Sequence, residues 1–195
     1  PIGNSSYTIE AWVKPNSVWG ANGIISRGNW GNTNQVSALR FNGPTTIINY
    51  WWGNDLAVTS PNALDGNWHH IVATFDGVTR SIYTDGVLRG SENPVGHAIP
   101  FANNLTIAQT CPFCGSGEYF DGTIDEVRIW NVGKTQAQIQ ATMNSTVPVN
   151  SISLAAYYRF DEGPGSTTAD ITGNGNNGVL TNSRAEMHPC ELPPP

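Results

Sequence analysis

The feature that most constrains the fold is a series of short strands with alternating polarity, separated by glycine-containing turns. Residues 7–14 alternate in this way, and residues 68–75 and 80–84 follow one another across the turn Asp76-Gly77. Asp-Gly and Asn-Gly pairs accept the positive φ angles of tight hairpins, which join antiparallel neighbours. Further strands are predicted over residues 23–27, 36–41, 46–52, 87–88, 104–109, 122–130 and 154–160. The pattern predicts an all-β antiparallel sandwich.

One short helix and one domain boundary are also predicted. Residues 135–138 have the spacing of a capping box, and Ile139 and Met143 lie four residues apart on one helical face. We expect this helix to lie across the sandwich edge as a connector. The folded domain is expected over residues 1–183. Residues 184–195 lose all periodicity and end in Leu-Pro-Pro-Pro, which is typical of a stiff linker to another domain.

Charge and hydropathy exclude several classes of partner. The 195-residue chain has a net charge of −6 and only nine Lys and Arg residues, which form no basic patch, so nucleic acid is not an expected partner. No apolar run approaches the roughly 20 residues of a membrane-spanning helix, so membrane insertion is not expected. Charged residues make up 12% of the chain and aromatic residues 10%, including seven Trp. A surface of uncharged polar groups and aromatic rings suits neutral ligands such as sugars.

Five segments resemble a known family. They are residues 7–15, 65–77, 83–87, 120–131 and 154–180. In this order they are similar to the laminin-G-like jelly-roll domains of the concanavalin A-like lectin/glucanase superfamily, which is related to pentraxins. The resemblance implies a jelly-roll β-sandwich with one short helix. It also implies carbohydrate recognition, adhesion, or attachment to a larger secreted enzyme, and hence an extracellular or cell-surface location.

The resemblance does not determine what covers one edge of the sandwich. Many members of the family carry another strand before the opening one, and little precedes Tyr7 in this chain. Either that strand lies upstream, or residues 154–180 close the edge. An uncovered edge would favour self-association by pairing with another chain.

A sugar site needs a flat aromatic ring bordered by amide and carboxylate groups, and two loops offer this mixture. The candidate carbohydrate-binding residues are Trp19, Trp30, Trp51, Trp52, Asn54 and Asp55. Trp19 and Trp30 lie among Gly and Asn residues in predicted loops, where a buried ring is hard to explain. Neighbouring residues of a strand point to opposite faces, so we expect one of Trp51 and Trp52 to lie in the core.

The resemblance also implies a structural calcium ion, because laminin-G-like and pentraxin domains often hold one. Calcium prefers six to eight oxygen ligands, and the candidates are Asp125, Asp170 and Asn174. The alternative for the Asn- and Gly-rich loop after Asp170 is a turn in which side chains bond their own backbone. His69 and His70 are adjacent, hence on opposite faces of a strand, and are expected to be structural rather than a zinc pair.

Neither catalysis nor redox chemistry is predicted. A glycanase needs two carboxylates facing one bond, but residues 118, 121, 125 and 126 have the wrong phase along a strand. Glu126 and Arg128 have the spacing of a structural ion pair on one face.

The three cysteines are compatible with an oxidising compartment. Cys111 and Cys114 have the spacing of a redox motif, but no helix is predicted after them to lower a thiol pKa. A local disulfide is favoured over half of a metal site, which leaves Cys190 unpaired or bonded outside this chain.

The sequence therefore predicts a non-catalytic carbohydrate-binding or adhesion module of a secreted or cell-surface protein. Two alternatives remain at this point. The domain could be a structural or protein-interaction spacer, for which exposed Trp side chains are unnecessary, or an accessory module of a glycan-degrading enzyme.

Overall fold

A computed structural model of the chain describes residues 1–100, 105–111 and 117–181. Within these ranges the strands are β1 (Tyr7–Ser17), β2 (Ala21–Gly28), β3 (Val36–Asn42), β4 (Thr46–Tyr50), β5 (Leu56–Thr59), β6 (His69–Phe75), β7 (Arg80–Thr84), β8 (Val87–Glu92), β9 (Thr106–Ile107), β10 (Gln109–Thr110), β11 (Glu118–Tyr119), β12 (Asp121–Trp130), β13 (Leu154–Tyr158), β14 (Thr167–Thr168) and β15 (Gly178–Val179), with helix α1 (Gln136–Thr142). No helix in the described part of the chain is both long and apolar enough to cross a bilayer.

Two antiparallel sheets form the sandwich. One has six strands in the order β13-β12-β1-β6-β7-β8, and the other has five in the order β5-β4-β3-β2-β9. Alternate residues of each strand point inward, so that Ile9 and Val13 of β1 share a core with Leu39 and Phe41 of β3. The predicted class, an all-β jelly-roll sandwich with one short helix, is confirmed.

Strand β1 runs further than the sequence pattern indicates. The alternating pattern covers residues 7–14, but the strand continues to Ser17, and Pro15 pairs with Gly122 of β12. Pairing with β6 stops at Val13. Beyond that point β1 has a neighbour on one side only, and proline is tolerated at such an edge because no partner there needs its N–H.

Helix α1 has the predicted cap but a different position. The side chain of Thr135 and that of Gln138 form the reciprocal bonds of a capping box. The helix does not connect across the edge. Its buried residue Ile139 packs on Val72 and Tyr83, which lie on the outer face of the six-stranded sheet.

The edge of the six-stranded sheet at β13 is covered by residues 170–176. The N–H of Ile171 donates to the carbonyl of Tyr157 at 3.0 Å. Side-chain amides of Asn174 and Asn176 donate to the carbonyl of Ala155 at 3.1 and 3.2 Å. Of the two expected arrangements, closure by the segment 154–180 is therefore present here. Self-association stays a prediction.

Candidate functional site

Three aromatic rings meet on the outer face of the five-stranded sheet. Tyr50 ends β4, Trp52 follows it in the next loop, and Trp30 lies in the loop of residues 29–35 after β2. The ring centroids of Trp30 and Tyr50 are 6.0 Å apart at an interplanar angle of 21°. The ring of Trp52 stands edge-on to both, at 6.0 Å from Trp30 and 5.9 Å from Tyr50. All three rings are half-buried, and we call them the aromatic cluster.

The backbone of two loops sets the position of the cluster. Trp52 has a φ of 64°, a left-handed conformation that is strained for a bulky side chain, and Gly53 follows at 81°. The N–H of Asn34 donates to the carbonyl of Trp52 at 3.2 Å, which joins the two loops. Side-chain amides of Asn34 and Asn54 both donate to the carbonyl of Val95. Strained residues that their surroundings hold in place are often found at functional sites.

Charged side chains surround Tyr50. The guanidinium of Arg40 lies over the Tyr50 ring, 4.2 Å from its centroid, and is paired with Glu118 at 2.8 Å. The exposed carboxylate of Asp55 accepts the backbone N–H of Trp51 at 2.8 Å. Burial raises the pKa of the Tyr50 hydroxyl, Asp55 adds to this effect, and Arg40 opposes it. The cluster therefore combines half-exposed rings with two carboxylates and one paired cation.

Trp51 is a correction to the predicted site. Its ring is fully buried, stacked on His97 at 3.7 Å with Arg80 4.0 Å from its ring centroid. Its indole N–H donates to the hydroxyl of Tyr7 at 3.0 Å. A ring enclosed in this way has no face free for a sugar. The expectation that one of Trp51 and Trp52 lies in the core agrees with this arrangement.

The other predicted residues fall in two places. Trp19 is 87% exposed in the turn between β1 and β2, and it makes no ring contact within the described part of the chain. Asn54 and Asp55 flank the cluster in the loop after Trp52. Asn54 also anchors that loop, because its carbonyl accepts a hydrogen bond from Arg80 at 2.9 Å.

The cluster contains residues that the sequence analysis did not single out. Tyr50 and Arg40 both project from the sheet opposite to the core residues Leu39 and Ile47. The alternation of residues along β3 and β4 could have predicted that these two side chains point away from the core. Glu118 could not, since it reaches Arg40 from a hairpin 78 residues further along.

The predicted calcium ligands are arranged for hydrogen bonding. The carboxylate of Asp170 accepts the N–H of Tyr157 at 3.1 Å, the hydroxyl of Thr172 at 2.6 Å and the amide of Asn176 at 2.9 Å. Asn174 directs its amide N–H at backbone carbonyls. No group of three or more His, Cys, Asp or Glu residues within the described ranges has the geometry for a metal. The donors around Asp170 do not fit a cation, and they match the alternative of a side-chain-capped turn.

Several predictions fall outside the described residues. Cys114, Cys190 and residues 184–195 lie there, so the disulfide with Cys111 and the linker remain predictions. Asp125 is described, and it lines a cleft on the side of the sandwich where β9 ends the smaller sheet. This cleft has a volume of about 870 Å³ and is also lined by Tyr119, Phe120, Tyr158 and Phe160.

The structural residues predicted from the sequence are found in their expected roles. Glu126 and Arg128 form a buried ion pair. His69 lies between Asp65 and Asp85, with contacts of 3.1 and 3.0 Å. His70 faces Glu10 on the other side of the strand at 3.3 Å.

Comparison with solved structures finds the same architecture in other proteins. A protein from Bacteroides ovatus, proposed to bind carbohydrate, superposes with a TM-score of 0.75 at 24% identity, covering 93% of this chain and 53% of that protein. The CBM40 module of the Ruminococcus gnavus IT-sialidase, bound to α2,3 sialyllactose, has a TM-score of 0.58 at 14% identity, covering 70% of this chain and 82% of the module.

A curated relative and a family model extend the comparison. The rat Sushi, von Willebrand factor type A, EGF and pentraxin domain-containing protein 1 is 29% identical over 147 residues, which are 71% of this chain. The chain spans 4% of that relative and about half of the Bacteroides protein. The Laminin_G_3 family model, described as the concanavalin A-like lectin/glucanases superfamily, matches residues 1–140. The chain therefore belongs to this laminin-G-like family of the concanavalin A-like superfamily.

Proposed function

We propose that this chain is a non-catalytic glycan-binding module of an extracellular protein and that the aromatic cluster is its binding site. The observation that carries the proposal is that Trp30, Tyr50 and Trp52 converge on an open sheet face while the sheet behind them is fully packed. Sugars present apolar C–H faces that stack on such rings, and hydroxyl groups that bond to amides and carboxylates at the border. Asp55 and the side chains of the loop 29–35 supply those groups.

The relatives support this proposal. The Bacteroides protein and the sialidase module are both described as carbohydrate-binding, and the rat relative carries a pentraxin domain. The carboxylates available for catalysis argue against a glycanase, because Glu126 is engaged by Arg128 and by the hydroxyl of Tyr157. A spacer domain is the competing function, and it would leave the strained, half-exposed Trp52 without a purpose.

A glycan-array screen with a matched pair of variants tests the proposal. Wild-type protein is expected to bind at least one glycan class on the array. Adding a bound glycan to the protein in solution should quench or shift its tryptophan fluorescence. Trp30→Ala should weaken that binding at least about tenfold, equivalent to about 1.4 kcal/mol. Trp19→Ala, which removes an exposed ring outside the cluster, should leave it unchanged. An array without hits, from protein shown to be folded, would favour the spacer function.

The expected extracellular location is part of the same proposal. It is tested by fractionating the source cells and probing with an antibody against the folded domain. Recovery in the medium or on the cell surface would support the proposal, and recovery in the cytoplasm would contradict it.

A further inference from the structure

We propose that the aromatic cluster selects uncharged glycans over glycans that carry carboxylate or sulfate groups. This inference rests on the proposed function and names the chemical class of its ligand. It follows from the charges that border the rings, taken one at a time.

The cation at the cluster is already paired with a carboxylate. Arg40 is only 13% exposed, its guanidinium covers the face of Tyr50, and its NH1 group binds Glu118 at 2.8 Å. Glu118 is fixed in turn by the hydroxyl of Thr110 at 2.5 Å. Glu118 compensates the charge of the Arg40 guanidinium, so an anionic sugar at the rings would meet a neutralised ion pair rather than a free positive charge.

The cation below the cluster is equally engaged. Arg80 is fully buried, and it is paired with Glu92. Its NH1 group also donates to the carbonyls of Asn49 and Asn54. Arg80 therefore supports the loop after Trp52 from beneath and offers no donor to a ligand on the outer surface.

The remaining charge at the cluster is negative. Arg40 and Glu118 offset each other, and the exposed carboxylate of Asp55 has no ion-pair partner among the residues that the structure describes. Burial is the largest cause of the raised pKa of the Tyr50 hydroxyl, and Asp55 adds to it, so the field of Asp55 reaches the ring on which a sugar would lie. The whole chain, these residues included, has a net charge of −6. In water, one like charge about 6 Å away weakens binding by roughly threefold.

The uncharged border suits hydroxyl groups. Asn29 and Gln35 at the base of the Trp30 loop bond to each other at 2.8 Å, and Asn32 and Thr33 at its tip are exposed. Amides and hydroxyls both donate and accept hydrogen bonds, as sugar hydroxyls do. A neutral sugar brings no charge of its own that would have to be desolvated on binding.

The experiment compares matched glycan pairs on one array. The pairs are lactose with α2,3-sialyllactose, a neutral galactan with its sulfated form, and a xylo-oligosaccharide with its glucuronic-acid-substituted form. We expect the neutral member of a bound pair to bind at least about threefold more tightly. Binding of that member should be insensitive to an increase in NaCl, because no ion pair is formed with the ligand.

Asp55→Asn is the variant that isolates the charge. Asparagine retains an oxygen that can accept the N–H of Trp51, so the loop should keep its conformation. The preference for the neutral member should then fall by roughly threefold. Wild-type structure in the variant is checked by its circular dichroism and melting temperature.

The outcomes separate this inference from the proposed function. Preferential binding of anionic members that is lost in Trp30→Ala would overturn the inference and leave the cluster as the glycan site. Preferential binding of neutral members that is lost in Trp30→Ala supports both. A blank array from folded protein overturns both.

Discussion

The outer faces of the two sheets carry similar residue types with opposite exposure. On the six-stranded sheet, Glu10 and Arg128 are fully buried beneath α1 and the segment that follows it. On the five-stranded sheet, the aromatic cluster and Asp55 remain partly or fully exposed. Each face is built from alternate residues of antiparallel strands. The difference lies in what covers the face, and this determines whether its polar and aromatic groups stabilise the fold or are free for a ligand.

The covered face shows what burial does to a charge. The Oε1 atom of Glu10 accepts the indole N–H of Trp130 at 2.6 Å and binds the ammonium of Lys134 at 3.2 Å. Burial by itself would raise the pKa of Glu10. The hydrogen bond and charge of His70, together with Lys134 and Arg128, outweigh burial and lower that pKa to about 2. The carboxylate is thus held ionised as part of the structure.

The largest expected change in stability comes from comparing two neighbouring residues, the buried Trp51 and the half-buried Trp52. Trp51→Ala should lower the free energy of unfolding by about 4 to 5 kcal/mol, because it empties a fully buried, stacked position. Trp52→Ala should cost less than about 1 kcal/mol, yet weaken glycan binding. Urea unfolding of both variants measures the difference. Equal losses of stability would contradict the assignment of neighbouring Trp residues to opposite roles.

The next largest change in stability is expected from removing the charge of one carboxylate on each face. Glu10→Gln should cost about 3 kcal/mol, because it leaves the buried Lys134 and His70 without their carboxylate partner. Glu118→Gln, on the open face, should cost no more than about 1 kcal/mol. Denaturant unfolding at neutral pH gives both values.

Acid titration is the control for this pair. Because the folded pKa of Glu10 is lowered from 4.5 to about 2, its contribution to stability is present above pH 4.5 and is lost as the pH falls toward 2. Glu10→Gln should remove that part of the acid sensitivity. An unchanged acid profile would mean that the Glu10 network does not stabilise the folded state.

How much of this arrangement the sequence predicts depends on the range of the interactions involved. Alternation, Asp-Gly turns and the capping box at Thr135 are local, and they predicted the sandwich and the helix. The ion pair of Glu126 with Arg128 spans two residues and was predicted for the same reason. Trp30 and Trp52 were selected by their polar loop surroundings, and the structure brings them together with Tyr50.

The rest depended on contacts that are distant in the sequence. The burial of Trp51 follows from stacking on His97, 46 positions away, and from the reversed backbone at Trp52. The hydrogen bonds that occupy Asp170 follow from its position beside the edge of β13 that does not pair with β12. Neither the burial of Trp51 nor the hydrogen bonding of Asp170 can be predicted before the pairing of the strands is known.

The smallest expected change in stability concerns His69, the first residue of β6. Its hydrogen bond with Asp85 raises its pKa, burial opposes the increase, and Asp65 adds to it. The charged pair therefore contributes stability below pH 6.5, and this contribution is lost as the pH rises through the folded pKa. The change should be at most about 1 kcal/mol, since both carboxylates are more than a third exposed. His69→Asn should flatten the pH dependence of the melting temperature in this range, and an unaltered slope would contradict the account.

The central claim is that the open face of the five-stranded sheet binds glycan through Trp30, Tyr50 and Trp52. Two-dimensional NMR of ¹⁵N-labelled protein, titrated with a glycan identified on the array, tests this most directly because each of the seven tryptophans has its own indole N–H signal. The account predicts that the signals of Trp30 and Trp52 shift with glycan, while those of Trp12, Trp51 and Trp130 stay in place. Shifts confined to Trp19, or to backbone amides of the cleft near Phe120 and Tyr158, would contradict it.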